Sequence, residues 1–151
     1  MNGFGDSTLQ PLRAVPPSEA QSYLATARGL FAGAEDLTSL PSQNSLACAF
    51  LSAQTLECAL KAFLSSSGWT EKQLSQSQIR HNLEALWDEA VGAGLSVEPQ
   101  PPQWCLTLNT SHNKPFYFRY PMGLNAMSFP ALAPMVAELK GLLKLIAGVV
   151  R

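Results

Sequence analysis

Apolar residues recur at spacings of three and four along most of the chain, in four long blocks separated by Pro, Gly and Ser. Helical spacing of this kind predicts helices. The block over residues 45–64, SLACAFLSAQTLECALKAFL, differs from the other three because its apolar positions do not keep to one stripe. Leu46, Phe50, Ala53, Leu60 and Leu64 line one side, while Cys48, Leu51, Cys58, Ala62 and Phe63 cover most of the rest. A helix apolar nearly all round is expected to be buried among other helices. The block holds no Gly or Pro and few β-branched residues, so propensity agrees with the pattern. Gln54, Glu57 and Lys61 interrupt it on one side, with Glu57 and Lys61 in the favourable i,i+4 order.

The remaining blocks frame this central one. Ser18 is a good N-cap for a first helix carrying Ala20, Tyr23, Leu24, Ala27, Leu30, Phe31 and Ala34 up to about Leu37. Pro41 stops it, and Ser42 or Asn44 caps the central helix, which Gly68 ends. A short helix from Thr70 is followed by one starting near His81 or Asn82, with Leu83, Leu86, Trp87, Ala90 and Val91 as its stripe and Gly92 and Gly94 at its end. Trp104, Leu106 and Leu108 fit either a strand or a helix, and we assign a helix from the neighbouring context. Ser128 is expected to cap the last helix, with Pro130 in its first turn and Leu132, Met135, Val136, Leu139, Leu142, Leu143 and Ile146 facing inward. The expected fold is all-α, an up-and-down bundle of about four main helices plus short ones. Residues 18–150 form that domain, and residues 1–17, rich in Gly, Pro, Ser and Thr, form a mobile arm.

Composition narrows the function. The 151 residues are 46% hydrophobic and only 14% charged, with a net charge of -1. That balance argues against a broad electrostatic footprint for duplex DNA or an acidic membrane, though not against a local basic patch. No apolar run reads as a transmembrane span, and the start of the chain has neither a basic region nor an apolar core of a secretory signal. Cys48 and Cys58 lie ten residues apart on one helix, roughly 15 Å at helical rise, too far to bridge. With Cys105 they form an odd, unpatterned set that reads as small buried hydrophobes in a reducing, cytoplasmic setting. Asn109-Thr110-Ser111 spells a glycosylation sequon that carries no meaning without secretion.

Motif chemistry is sparse. There is no P-loop, and Gly92-Ala93-Gly94 lacks the third glycine and preceding strand of a dinucleotide fingerprint, so no cofactor is indicated. The two histidines and three cysteines match no metal-ligand spacing. Glu57 and Lys61 read either as a surface ion pair or, on so apolar a helix, as two charges facing a cleft. His81 at a helix start reads as a boundary residue or as a base whose neutral form the positive helix end favours. Lys114-Pro115-Phe116-Tyr117-Phe118-Arg119-Tyr120-Pro121 is a dense aromatic-basic loop. Arg119 there could fork onto a phosphate and Tyr117 or Tyr120 stack on a base. The structural alternative is an aromatic lid that leaves Arg119 in solvent.

Taken together, Leu56-Glu57-Cys58-Ala59-Leu60-Lys61, then His81-Asn82-Leu83-Glu84-Ala85-Leu86-Trp87, then Tyr117-Phe118-Arg119-Tyr120-Pro121 resembles the HEPN superfamily, over roughly residues 18–149. These are small all-helical domains, often dimeric, found beside nucleotidyltransferases and in toxin–antitoxin pairs. The resemblance implies a four-helix bundle whose two central helices form a polar cleft, in a nucleotide- or RNA-linked setting. It does not extend to the ribonuclease signature of the superfamily, an Arg followed four to six residues later by His. Arg80 abuts His81, and no His follows Arg119.

Three readings follow. The first is a non-catalytic binding module that holds a nucleotide or short RNA with Glu57, Lys61, His81, Arg119, Tyr117 and Tyr120. In it Lys61 and Arg119 supply positive charge, and Glu57 orients Lys61 or accepts from a base or ribose. The second is a metal-independent RNase with a displaced site, using His81 or His112 as base. The third is an interaction protein that partners a nucleotidyltransferase-like chain and takes no ligand. Low charge and plentiful apolar surface also point to a homodimer, with Leu142, Ile146 and Val149 of the last helix as contacts.

Overall fold

The computed structural model describes residues 14–40 and 44–151. Its six helices among these residues are α1 (Glu19–Thr38), α2 (Ser45–Ser66), α3 (Glu71–Leu74), α4 (Leu83–Gly92), α5 (Gln103–His112) and α6 (Leu132–Ala147). No strand occurs among the described residues, and the architecture is an all-α bundle. The expected arm lies outside the described residues up to residue 13, as do Pro41 and Ser42; residues 14–17 are exposed and carry no helix.

Local sequence explains most helix ends. Ser18 and Gln21 cap α1 reciprocally: the Ser18 Oγ accepts from the Gln21 N–H at 3.2 Å, and the Gln21 Oε1 accepts from the Ser18 N–H at 2.8 Å. Thr70 and Gln73 repeat the device at α3. Asn44 takes the N-cap position of α2. At the other end of α2 Ser67 is the C-cap, and Gly68 follows it with φ 100°, a conformation that suits glycine. The segment around Trp104 is helical. The last helix starts later than its Ser128 signal, at Leu132 with Ala131 as N-cap. Phe129 precedes Pro130, and a residue before proline is steered out of the α region. Pro134 instead falls in the first turn, where its missing N–H costs no hydrogen bond.

Helix α2 runs through the middle and packs against α1, α4, α5 and α6. Thirteen of its residues are buried, Leu56, Leu60 and Leu64 completely. It is long and apolar enough to cross a membrane, contrary to the reading of the sequence, but most of it is enclosed by the rest of the chain. Small residues let α1 approach α2 closely. Ala27, Ala34, Cys48, Ala49 and Ala53 are fully buried, and the Cys48 thiol reaches the Ala34 carbonyl at 3.6 Å. A Cβ on Gly33 would come within 3.2 Å of the Leu51 Cδ1, so glycine there sets the separation. Not every apolar position of α2 points inward: Leu46 is 51% exposed.

On α6, Leu142 and Ile146 are buried within the monomer and so are not free to make contacts with a second copy. Both belong to the inward stripe, together with Met135, Val136, Leu139 and Leu143. Leu145 and Val149 are the exposed apolar residues of this end.

Two substitutions on α2 separate core from surface. Leu60→Ala should cost ~2–5 kcal/mol in denaturant unfolding, the range for emptying a close-packed site. Leu46→Ala should change stability by less than about 0.5 kcal/mol.

Candidate functional site

The polar strip of α2 faces the junction of α4 and α5. Two asparagines build that junction. The Asn109 Oδ1 accepts from the Leu83 N–H at 2.8 Å, and the Asn109 side-chain amide donates to the Asn82 Oδ1 at 3.1 Å. The same Asn82 oxygen caps α4 by accepting from the Ala85 N–H. The start of α4 is thereby clipped to the last turn of α5. His81 immediately precedes one partner of the clip and His112 lies one turn beyond the other, so both imidazoles are delivered to the same place.

That place is Glu57. Its Oε1 accepts from the Lys61 ammonium at 2.8 Å, while its Oε2 lies 2.6 Å from the His112 Nε2 and 3.1 Å from the His81 Nδ1. An ionised carboxylate only accepts, so each of these ring nitrogens carries its proton and donates. Burial alone would push the Glu57 carboxyl up, but the hydrogen bond from His112 and the charge of Lys61 outweigh it and hold the group at about 2. For His81, burial lowers the pKa and the nearby positive charges of Arg119 and Lys61 add to that, against the pull of Glu57. The side chain of His112 is almost fully enclosed at 1% exposure, whereas that of His81 keeps 19%.

This differs from the cleft expected for Glu57 and Lys61. Both are buried, with 7% of each side chain exposed, so Lys61 is committed to Glu57 rather than offered to a ligand. The Lys61 ammonium also sits 5.9 Å from the centre of the Tyr23 ring, whose hydroxyl donates to Glu71. His81 lies ahead of α4, with Asn82 as the cap, so its lowered pKa comes from burial and not from a place in the first helical turn.

The aromatic-basic loop covers the histidines. The Phe118 N–H donates to the Ser111 carbonyl, and those of Arg119 and Tyr120 donate to the Phe116 carbonyl, folding residues 113–120 back over the end of α5. Phe116 meets His81 edge-on at 5.5 Å between ring centres, and Phe118 lies 6.4 Å from His112 and 5.9 Å from Phe50. Phe116 adopts φ 65°, a left-handed conformation uncommon for a bulky residue. Tyr117 is half-buried, while Arg119 and Tyr120 face solvent.

Of the six residues singled out in the sequence, the structure joins Glu57, Lys61 and His81 in one network. Arg119 lies close enough to act electrostatically on His81. Tyr117 and Tyr120 share the loop that folds over the network. Asn82 and Asn109 were not singled out, and Asn109 fell inside a sequon without meaning. The two histidines, too far apart in sequence to suggest joint ligation, present the His81 Nδ1, the His112 Nε2 and a Glu57 oxygen within 4.8 Å of one another. No local spacing signals this, because the three residues come from separate segments.

The cysteines stay clear of this chemistry. Cys48, Cys58 and Cys105 are free thiols. Burial pushes all three up, Cys58 to about 11 and Cys105 to about 12, so none is an activated nucleophile. No family model, curated protein or solved structure matches the chain.

The network predicts acid sensitivity with a definite sign. His81 has a folded pKa below its ordinary value of 6.5, so the folded state resists its protonation and stability falls as pH drops below about that value. Glu57 has a folded pKa of about 2 against an ordinary 4.5, so its contribution is complete above 4.5 and lost as pH falls toward 2. The second loss is on the order of 3 kcal/mol. Urea unfolding followed from pH 7 to pH 2.5 should show stability declining through both windows, with the lower decline absent in Glu57→Gln.

Proposed function

We propose that the chain is a HEPN-like, non-catalytic binding module that takes a nucleotide or a short RNA segment at the rim of the Glu57 network. An all-helical bundle is the architecture that the resemblance read from the sequence implies. The observation that carries the proposal is the charge around the exposed edge of His81. Arg80 adjoins it in the chain, Lys114 lies two residues from the Phe116 that packs on it, and Arg119 bears on it electrostatically, all three exposed. A local cationic rim on a chain with net charge -1 favours an anionic ligand. Tyr120, 63% exposed on the same loop, offers a face for a base.

In this reading the buried pair has a supporting role. Glu57 and Lys61 hold His81 and the loop in place, while Arg119, Tyr120 and the outer edge of His81 meet the ligand. One geometric feature favours a second reading, the metal-independent RNase. With the Nδ1–H of His81 held by Glu57, the Nε2 of the neutral ring is an acceptor, as a general base requires. Cleavage of labelled RNA in chelator, abolished by His81→Ala, would favour that reading over simple binding.

Arg119→Ala should weaken binding of a nucleoside triphosphate or a short RNA roughly tenfold, the loss of one charge-assisted contact. Stability should stay within about 0.5 kcal/mol because the side chain is exposed. Binding should depend only modestly on salt, since few phosphates are neutralised. Absence of nucleotide or RNA binding at millimolar ligand would replace this reading by that of an interaction protein, dimeric or paired with a nucleotidyltransferase-like chain.

A further inference from the structure

We propose that Glu57, His81 and His112 form a site for a divalent transition-metal ion of the zinc class, bound through the Glu57 Oε2, the His81 Nδ1 and the His112 Nε2. The donor set, two imidazoles and one carboxylate, is one that such ions take in open sites with a position left for water or another ligand. Bonds of about 2.0–2.1 Å at tetrahedral angles put ligand atoms about 3.3 Å apart. The Glu57 Oε2 already stands 3.1 Å from the His81 Nδ1 and 2.6 Å from the His112 Nε2, and all three atoms lie within 4.8 Å. Changes of no more than about 1.5 Å in these separations therefore divide the hydrogen-bonded cluster from a coordinating one.

The surroundings suit a built site. Lys61 occupies the Glu57 Oε1, which leaves the other oxygen to face both rings as a single donor. The Asn82–Asn109 clip fixes the spacing of the two histidines, and Phe116 and Phe118 shield them. Such outer contacts orient ligands and strengthen metal binding. Glu57 is the only carboxylate in the cluster among the described residues, and Lys61 adds a positive charge. A bound dication leaves the cluster cationic, so an anionic oxygen is the natural occupant of the open position. The inference stands whether or not a nucleotide binds at the rim.

Coordination changes which nitrogen of each ring carries the proton. Without metal, the His81 Nδ1 and the His112 Nε2 donate to Glu57. With metal on those nitrogens, a neutral His81 must carry its proton on Nε2 and a neutral His112 on Nδ1, with solvent exchanging the protons. The test is a titration of the full chain with zinc chloride, without nucleotide, followed by calorimetry and by long-range ¹H–¹⁵N spectra of the histidine rings. One equivalent should bind. The His81 Nδ1 and His112 Nε2 signals should take the values of metal-bound nitrogens, and the ring protons should move to the opposite atoms. His81→Ala should weaken zinc binding more than about tenfold with the helical circular dichroism intact. Ring signals unchanged at excess zinc would overturn the proposal. So would an affinity unaltered in His81→Ala, which would place the ion elsewhere, on the thiols for example. Should that variant fail to fold, the ring spectra of the unaltered chain decide alone.

Discussion

A carboxylate moved out of water loses several kcal/mol of hydration, which only close and well-directed donors can return. Glu57 lies on α2, the helix with the most buried residues among those described, and recovers that loss from Lys61, His81 and His112. Each partner comes from a different part of the structure. Lys61 is one turn further along α2, His81 stands before α4, and His112 ends α5. The charge on Glu57 therefore ties three segments together in a way that apolar packing, which has no direction, does not. Removing one partner would leave a buried charge uncompensated, at a cost of roughly 3–5 kcal/mol for pairs of this kind.

The loop after α5 depends on the same arrangement. Phe116 and Phe118 pack on rings whose positions Glu57 fixes, and the Phe118 N–H returns to the last turn of α5. The left-handed backbone at Phe116 carries a conformational cost of order 1–3 kcal/mol that the surrounding contacts must hold in place. Arg119 and Tyr120 are carried outward as a result. A buried polar network and an exposed cationic rim are thus two sides of one construction, with His81 as the residue common to both.

The bundle was legible because helical periodicity and caps are local signals. Ser18 with Gln21, Thr70 and Gly68 mark their helix ends as written in the sequence, and the wide apolar circumference of α2 marks it as central. Signals that compete locally misled: Ser128 looks like a cap, but Pro130 two residues later defers the helix to Leu132. The site was legible only in part. Glu57 and Lys61 stood out as charges on an apolar helix, yet whether such charges face a cleft or the core depends on what packs over them. The meeting of His81 with His112 could not be read at all, since it rests on the Asn82–Asn109 clip between residues from two helices. On α6, apolar residues in excess of an assumed monomer core suggested a dimer face, but Leu142 and Ile146 are used by the monomer.

The central claim is that the Glu57 carboxylate and the His112 imidazole act as one unit across α2 and α5. A double-mutant cycle on Glu57→Gln and His112→Gln, read by urea unfolding at pH 7, measures that directly. The two losses should overlap, with a coupling energy of roughly 1–3 kcal/mol, as for residues in one hydrogen-bonded network. Losses that simply add, to within about 0.5 kcal/mol, would show that the two groups stabilise the fold independently and would contradict the account.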